Sequence, residues 1–333
     1  MSPIEYLYYL GYRVDRSLKT SRRRRLYART VSVGNITLGG AGKTPLVISL
    51  VTEAVKRGLR SCILTRGYRG RAKDSALVSI GNGPLIRWEA AGDEPYYMAT
   101  RLKGVWIVKD RNRYRGSLVA GGMDIFILDD GYQHWQLERD MDILVIDANR
   151  PFGNNRLLPL GRLREPLDAM ERADIILINH SREKRADLES DIRRYNTSAR
   201  IFYSYYHPSG LVTPGGQSLS LARVEGKKVL AFSGIGSPEN FLKTLRGIGL
   251  GIAGHVPFRD HHLYSGEDFD MILRRADRAG AEVILTTEKD LVKIRKHAES
   301  RDCPPLYALR VDLEIFDEKF YDIIFEDPGG SDD

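Results

Sequence analysis

From residue 31 onward, short apolar runs at 31–33, 62–64, 105–108, 125–128, 143–146 and 175–178 alternate with segments of helical periodicity. Strands buried on both faces read as unbroken apolar runs, so this rhythm predicts a doubly wound parallel sheet covered by helices on both sides. Residues 209–225 carry Pro214, Gly215 and Gly216 among polar neighbours, break the rhythm, and read as a connection. Runs at 229–232 and 283–285 then predict strands, and 238–246 and 266–279 predict helices, of a second, smaller α/β domain. Ahead of all this, Ile4, Leu7, Tyr8, Gly11, Val14 and Leu18 recur at helical spacing, with Tyr6, Tyr9, Leu10 and Tyr12 widening the apolar side. The predicted organisation is an amphipathic segment over 1–30, a large sheet domain over 31–217, a smaller α/β domain over 218–328 and a tail over 329–333.

Charge changes the reading of the first segment. The chain of 333 residues has a formal charge of +7, yet Arg13, Arg16, Lys19, Arg22, Arg23, Arg24, Arg25 and Arg29 against Glu5 and Asp15 put +6 of it in residues 1–30. An aromatic, basic amphipathic helix can lie in a membrane interface, with its apolar face buried and its arginines on anionic headgroups. The same pattern also suits a helix docked on the domain with a solvated arginine turn. Charge confined to one terminal segment, with no basic groove, argues against a nucleic-acid partner. At 42% apolar and 29% charged residues the composition is that of a soluble globular protein, and no window approaches the ~18 apolar residues of a membrane span. Cys62 and Cys303 form no C-x-x-C pair, which leaves an intracellular protein without a disulfide framework as the default. No signal-peptide pattern precedes the basic run.

The strongest chemical signal is Thr37-Leu38-Gly39-Gly40-Ala41-Gly42-Lys43-Thr44, between the predicted strand at 31–33 and an apolar helix through Leu46, Val47, Leu50 and Val51. A P-loop needs this setting: backbone N–H groups and a helix N-terminus cradle phosphates, the lysine reaches the β- and γ-phosphates, and the Thr hydroxyl meets Mg²⁺. Thr37 stands where the motif usually has its first glycine. Asp129 and Asp130 follow the apolar run 125–128, placing two carboxylates at a strand's carboxyl end, where a metal-holding acid is needed; Gly131, Tyr132, Gln133, His134 and Trp135 come next. A pair of turn-forming aspartates would look the same. Asp93, in Gly92-Asp93-Glu94-Pro95, suits a helix N-cap, and Asp260-His261-His262 is open to metal, proton-transfer or plain loop roles. Arg111 and Arg113, and Arg66, Arg69 and Arg71, offer guanidinium groups at strand ends.

Taken in order, Val33-Gly34-Asn35-Ile36-Thr37, the Gly39–Pro45 loop, Arg66-Gly67-Tyr68, Gly92-Asp93-Glu94-Pro95, Asp110-Arg111-Asn112-Arg113, Asp129-Asp130-Gly131-Tyr132-Gln133-His134, Phe232-Ser233-Gly234-Ile235-Gly236, Asp260-His261-His262 and Thr286-Thr287-Glu288-Lys289-Asp290 resemble the tetraacyldisaccharide 4'-kinase family. The resemblance runs from about Ile4 to Asp290. It implies transfer of the ATP γ-phosphoryl group to the 4'-hydroxyl of tetraacyldisaccharide 1-phosphate in lipid A biosynthesis, by a peripheral, monotopic enzyme at the cytoplasmic face of the inner membrane. It assigns the 37–44 loop, Gln133 and His134 to ATP, and Thr44, Asp129 and Asp130 to Mg²⁺. Asp93 becomes the general base, tuned by His261 of the smaller domain, which closes over the active site; Arg111, Arg113 and Glu94 go to the acceptor. The implied partners are the lipid A disaccharide 1-phosphate and the anionic inner-membrane surface, with no nucleic acid and no obligate protein partner. The competing reading is a P-loop regulatory or transport NTPase, in which water attacks the γ-phosphate.

Overall fold

The computed structural model describes residues 1–67, 70, 74–299 and 303–326. The expectations attached to Tyr68, Arg69, Arg71 and the 329–333 tail lie outside the described residues. In chain order the elements begin with α1 (Pro3–Thr20), β1 (Arg29–Gly34), α2 (Lys43–Lys56), β2 (Ser61–Thr65), β3 (Ala76–Ile80), α3 (Trp88–Ala91), α4 (Asp93–Arg101), β4 (Trp106–Lys109) and α5 (Arg113–Ser117). There follow β5 (Ile125–Asp129), β6 (Met141–Asp147), β7 (Ile175–Asn179), α6 (Ala186–Arg193), β8 (Arg200–Val212), β9 (Ser218–Leu219) and β10 (Lys228–Ser233). The last are α7 (Pro238–Gly247), β11 (Gly251–Pro257), α8 (Gly266–Arg278), β12 (Val283–Thr287), α9 (Glu288–Glu299), β13 (Leu306–Ile315) and α10 (Lys319–Phe325). The chain is an α/β protein with mostly parallel pairing, and it divides into two compact units.

Unit 1 comprises Met1–Ala91, Met98–Tyr205 and Leu313–Asp333. Its strands run in the order β3-β4-β2-β5-β1-β6-β7-β8, every pair parallel except β3 with β4. Strands β2, β5 and β7 are buried at every position, as a sheet covered on both faces requires. The chain leaves β1 for β2 and β4 on one side and returns to β6, β7 and β8 on the other. That reversal puts the carboxyl ends of β1 and β5 at a switch point, with Val33 opposite Asp129. Helix α2 packs on β1, β2 and β5. Gly34 is required here by space, because a Cβ would run into Tyr132, while Gly131 N–H donates to the Val33 carbonyl at 2.9 Å. The Tyr132 ring is fully buried and its phenol donates to the Ala169 carbonyl at 2.7 Å.

Helix α1 belongs to this unit and uses two faces at once. A capping box joins Ser2 and Glu5 at its start, and the buried Glu5 pairs with Arg156 at 3.0 Å. Tyr8 donates to the Arg164 carbonyl and Tyr12 to Glu165, each at 2.9 Å. Leu7, Val14 and Leu18 on the outer face are 68%, 59% and 64% exposed. The docked helix and the amphipathic outer stripe are therefore both real, carried by different side chains.

Unit 2 comprises Gly92–Tyr97 and Tyr206–Asp312. Its parallel strands run β11-β10-β12-β13. Alternation along β10 feeds two cores: Leu230 and Phe232 join Phe269, Ile272 and Ile294, whereas Val229 and Ala231 join Phe241 and Leu245. One sequence expectation needs correction. Residues 209–212 are the end of β8, not part of a connection, because Leu211 and Val212 are buried one in each core, and β9 pairs back on them antiparallel. Pro214 and Gly216 mark only the turn between those two strands.

Candidate active site

In unit 1 the loop after β1 is held by Asn35 at its start and by side chains from outside it. Asn35 Nδ2 donates to the Thr37 carbonyl at 2.8 Å, Arg162 donates twice to the Leu38 carbonyl, and Asn179 Nδ2 donates to the Ala41 carbonyl at 3.1 Å. Gly39 and Gly42 have φ of 117° and 94°, left-handed values that a side chain rarely adopts, and Gly42 leads directly into α2. Lys43 Nζ donates to Asn35 Oδ1 at 3.0 Å and lies 3.4 Å from Asp130. Arg164 meets the same carboxylate at 3.0 Å. Burial pushes the Asp130 carboxyl up, but the Lys43 and Arg164 cations outweigh it and hold the group well below the usual carboxylate range.

Asp129 and Asp130 point to different company. Asp129 is buried, accepts from Thr65 Oγ1 at 2.9 Å, and its carbonyl takes a hydrogen bond from Arg113 at 3.2 Å. Arg113 is itself buried. Desolvation lowers its guanidinium to about 10, against the raising influence of Asp129 and Asp130. Arg111 lies at the surface. Gln133 Nε2 donates to the Asn35 carbonyl and to Glu165, at 2.8 and 2.6 Å, joining the loop's own brace to a fully buried acid. Burial, with the Arg113 and Arg139 cations, lowers the His134 imidazole to about 3, so it is neutral at physiological pH; its buried Nε2 has no hydrogen-bond partner among the described residues. Thr44 sits half-buried in the first turn of α2.

Four other motif segments meet in unit 2. Asp93 is buried, and its Oδ2 lies 3.0 Å from His261 Nδ1 and 3.5 Å from Lys293 Nζ. Burial raises the Asp93 carboxyl, and the His261 hydrogen bond with the Lys293 charge more than reverses this, leaving it below its ordinary value. An acid depressed in the fold stabilises it at pH above the unfolded value, and that contribution is lost as pH falls through the folded one. His261 adopts φ 58° and its backbone N–H donates to the Gly234 carbonyl at 3.1 Å. His262 is occupied elsewhere, 2.9 Å from Asp268 in the capping box of α8 and stacked on Phe258. Glu94 receives Lys289 Nζ at 2.9 Å, and Tyr97 donates to Glu288 at 3.2 Å.

Sequence reasoning singled out the loop, the aspartate pair, Asp93 and His261, but it missed Arg162, Arg164, Glu165 and Lys293. The first three sit in an irregular segment with no periodicity to mark them. Lys293 was legible as the i+4 neighbour of Lys289 on a helix, a spacing that places both on one face.

The sequence profile described as Tetraacyldisaccharide-1-P 4'-kinase matches residues 1–327. A tetraacyldisaccharide 4'-kinase of Halothermothrix orenii is 38% identical over 288 residues, covering 81% of this chain and 75% of the relative. That of Geobacter sulfurreducens is 38% identical over 306 residues, covering 91% and 84%. A crystal structure described as the "apo" form of LpxK from Aquifex aeolicus in complex with ATP superposes with a TM-score of 0.77 at 31% identity, covering 97% of this chain and 96% of that one. A profile match across nearly the whole length, met by relatives of this identity and coverage, shows that the chain belongs to the tetraacyldisaccharide 4'-kinase family.

Proposed function

We propose that unit 1 is a P-loop domain that holds ATP, while unit 2 is a smaller domain that carries the base which activates the acceptor. The family membership makes the chain an ATP-dependent kinase of lipid A biosynthesis, and the hydrolytic alternative is not favoured. The observation that carries the division of roles is the buried Asp93 carboxylate held 3.0 Å from His261. A switch NTPase has no need of a desolvated acid–imidazole pair, whereas a kinase must take a proton from a hydroxyl.

In this reading Lys43 and the 37–44 amides receive the β- and γ-phosphates, and Gln133 and His134 line the same site. The acceptor's 4'-hydroxyl oxygen bonds to the γ-phosphorus as the bridging bond to the departing ADP breaks, and the hydroxyl proton goes to Asp93. His261 orients that carboxylate. Arg111, Arg113 and Glu94 are assigned to the acceptor side; the burial of Arg113 behind Asp129 favours an electrostatic part for it over direct contact. Incubation with γ-labelled ATP and the disaccharide 1-phosphate should put label on the lipid, and label released only as inorganic phosphate would refute the reading.

Thr44, Asp129 and Asp130 fit a magnesium ion. They are hard oxygen donors supplying one or two carboxylates beside a phosphate loop, and Mg²⁺ takes such sites in preference to an all-protein cage. Bound there, the ion would neutralise phosphate oxygens. Asp130→Asn should then raise the Mg²⁺ concentration needed for half-maximal turnover, with partial rescue by excess Mg²⁺. Asp129→Asn should also cost thermal stability, because it removes the carboxylate charge that offsets the buried Arg113 guanidinium, while Asn can still accept from Thr65. An unchanged Mg²⁺ dependence in both variants would return the pair to a turn role.

Among the described residues no helix is long and apolar enough to cross a membrane. The outer stripe of α1 instead suits peripheral attachment to an anionic surface, which in this reading is the cytoplasmic face of the inner membrane. Apolar burial survives salt, while arginine attraction is screened beyond about 8 Å at physiological ionic strength. Changing Leu7, Val14 and Leu18 to Ser should therefore release the protein from anionic vesicles even at low salt, and Arg22→Gln with Arg25→Gln should only mimic high salt. Sedimentation of the Ser variant equal to wild type would end the anchor reading. These positions leave Tyr8 and Tyr12, which dock the helix, untouched.

A further inference from the structure

Lys293 is an oddity that the reading above does not use. Its side chain is 1% exposed, it lies on α9, and its Nζ makes no hydrogen bond among the described residues. A buried ammonium is costly, and a helix position of this kind is ordinarily filled by an apolar side chain. The cost is offset by two carboxylates, Asp290 at 3.1 Å and Asp93 at 3.5 Å, neither on the hydrogen-bond line. Asp290 is itself fixed, accepting from Gly234 N–H at 2.9 Å and from Thr287 Oγ1 at 2.7 Å. Helix α9 thus presents a ladder to the start of α4: Glu288 to Tyr97, Lys289 to Glu94, and Lys293 to Asp93.

We infer that Lys293, with Asp290 as its counter-ion, is a positioning residue that holds the Asp93 carboxylate charged and aimed within unit 2. The inference rests on Asp93 being the base. Its physical content is a division of labour. Burial alone would favour a protonated Asp93, which could not take the proton of a hydroxyl. The His261 hydrogen bond orients the group, and the Lys293 cation supplies charge stabilisation that does not depend on hydrogen-bond direction. Because Asp290 already neutralises Lys293, the ammonium keeps a partner when Asp93 takes up a proton. Among the described residues Lys289, itself paired with Glu94, also acts on Asp93; Asp260 lies 3.9 Å from His261 Nε2, and the Tyr264 ring lies 5.4 Å from Lys293 Nζ.

The test is turnover of the full-length enzyme on detergent-dispersed acceptor as a function of pH. Lys293→Met should lower kcat at least tenfold with the KM for ATP unchanged, and should move the acid limb of kcat/KM upward by about one unit, the size of shift a neighbouring opposite charge produces. Lys293→Arg should restore most of both. Should Lys293→Met unfold, the doubly neutral Lys293→Met/Asp290→Asn variant removes the pair without stranding a charge; it should still lower kcat and move the acid limb upward, but by less, because the negative charge of Asp290 goes with the cation. Asp93→Asn run in parallel separates the two ideas. If Asp93→Asn is inactive while the Met variant keeps the wild-type rate and pH profile and loses only melting temperature, Lys293 is structural and the inference fails. If Asp93→Asn is itself normal, the base reading has failed first.

Discussion

Asp93→Asn should lower kcat by about 100-fold or more while ATP affinity stays near wild type, since removal of a general base typically costs 10² to 10⁴. The substitution is nearly isosteric, and Asn can still accept a hydrogen bond from His261 Nδ1, so the local geometry has reason to persist. What is lost is the capacity to take a proton. Lys293 retains Asp290 at 3.1 Å, which limits the destabilisation that a stranded buried charge would otherwise cause. A normal kcat with a lowered melting temperature would show that Asp93 serves only the start of α4. His261→Ala should repeat the kinetic defect in milder form, because the cation at Lys293 remains. The double variant should be no worse than Asp93→Asn alone, as residues acting as one unit are not additive.

Lys43→Ala should abolish phosphoryl transfer with the fold intact. In the proposed reading the lysine is the cation of the 37–44 loop that meets charge developing on the transferred phosphoryl group, and removal of one such stabiliser costs about 10²–10³ in kcat. Its side chain is nearly buried, yet Asp130 keeps Arg164 at 3.0 Å, and Asn35 keeps its Nδ2 bond to Thr37 and gives up only the hydrogen bond that its Oδ1 accepts from Lys43. The circular dichroism spectrum and melting temperature should therefore stay close to wild type. Turnover above a tenth of wild type would count against the loop as the phosphate cradle. Lys43 is held by Asn35 and Asp130, so in the proposed reading ATP exchanges those contacts for phosphate oxygens. Asp130→Asn should for that reason alter ATP affinity as well as Mg²⁺ dependence.

The apolar runs at 31–33, 62–64, 105–108, 125–128, 143–146 and 175–178 lie in strands, apart from Val105 one residue ahead of β4, as runs buried on both faces of a sheet do. Strand β8 was harder to read. Its 13 residues mix Tyr, His, Pro, Ser and Gly, and only Leu211 and Val212 at its end show why the chain stays extended into residues that look like a connection. The start of α9 was read only as the motif Thr286-Thr287-Glu288-Lys289-Asp290. Its charged residues face α4 in place of water, which removes the amphipathic contrast that marks a surface helix.

Local sequence determined the glycine-rich turn between β1 and α2. A strand, a glycine-rich turn and a helix N-terminus are contiguous in the chain, and the chemistry they support follows from backbone geometry within about a dozen residues. The amphipathic basic character of α1 was determined in the same way, by spacing alone. Tertiary structure decided everything that depends on partners distant in the chain. Sequence spacing left Asp93 suited to an N-cap, and it is a buried acid because His261 and Lys293, 168 and 200 positions away, converge on it. The inner face of α1 turned out to be anchored through Tyr8 and Tyr12 to Arg164 and Glu165. Burial, and the charge a buried group can keep, are properties of the packed environment and not of the residue, so no local pattern records them.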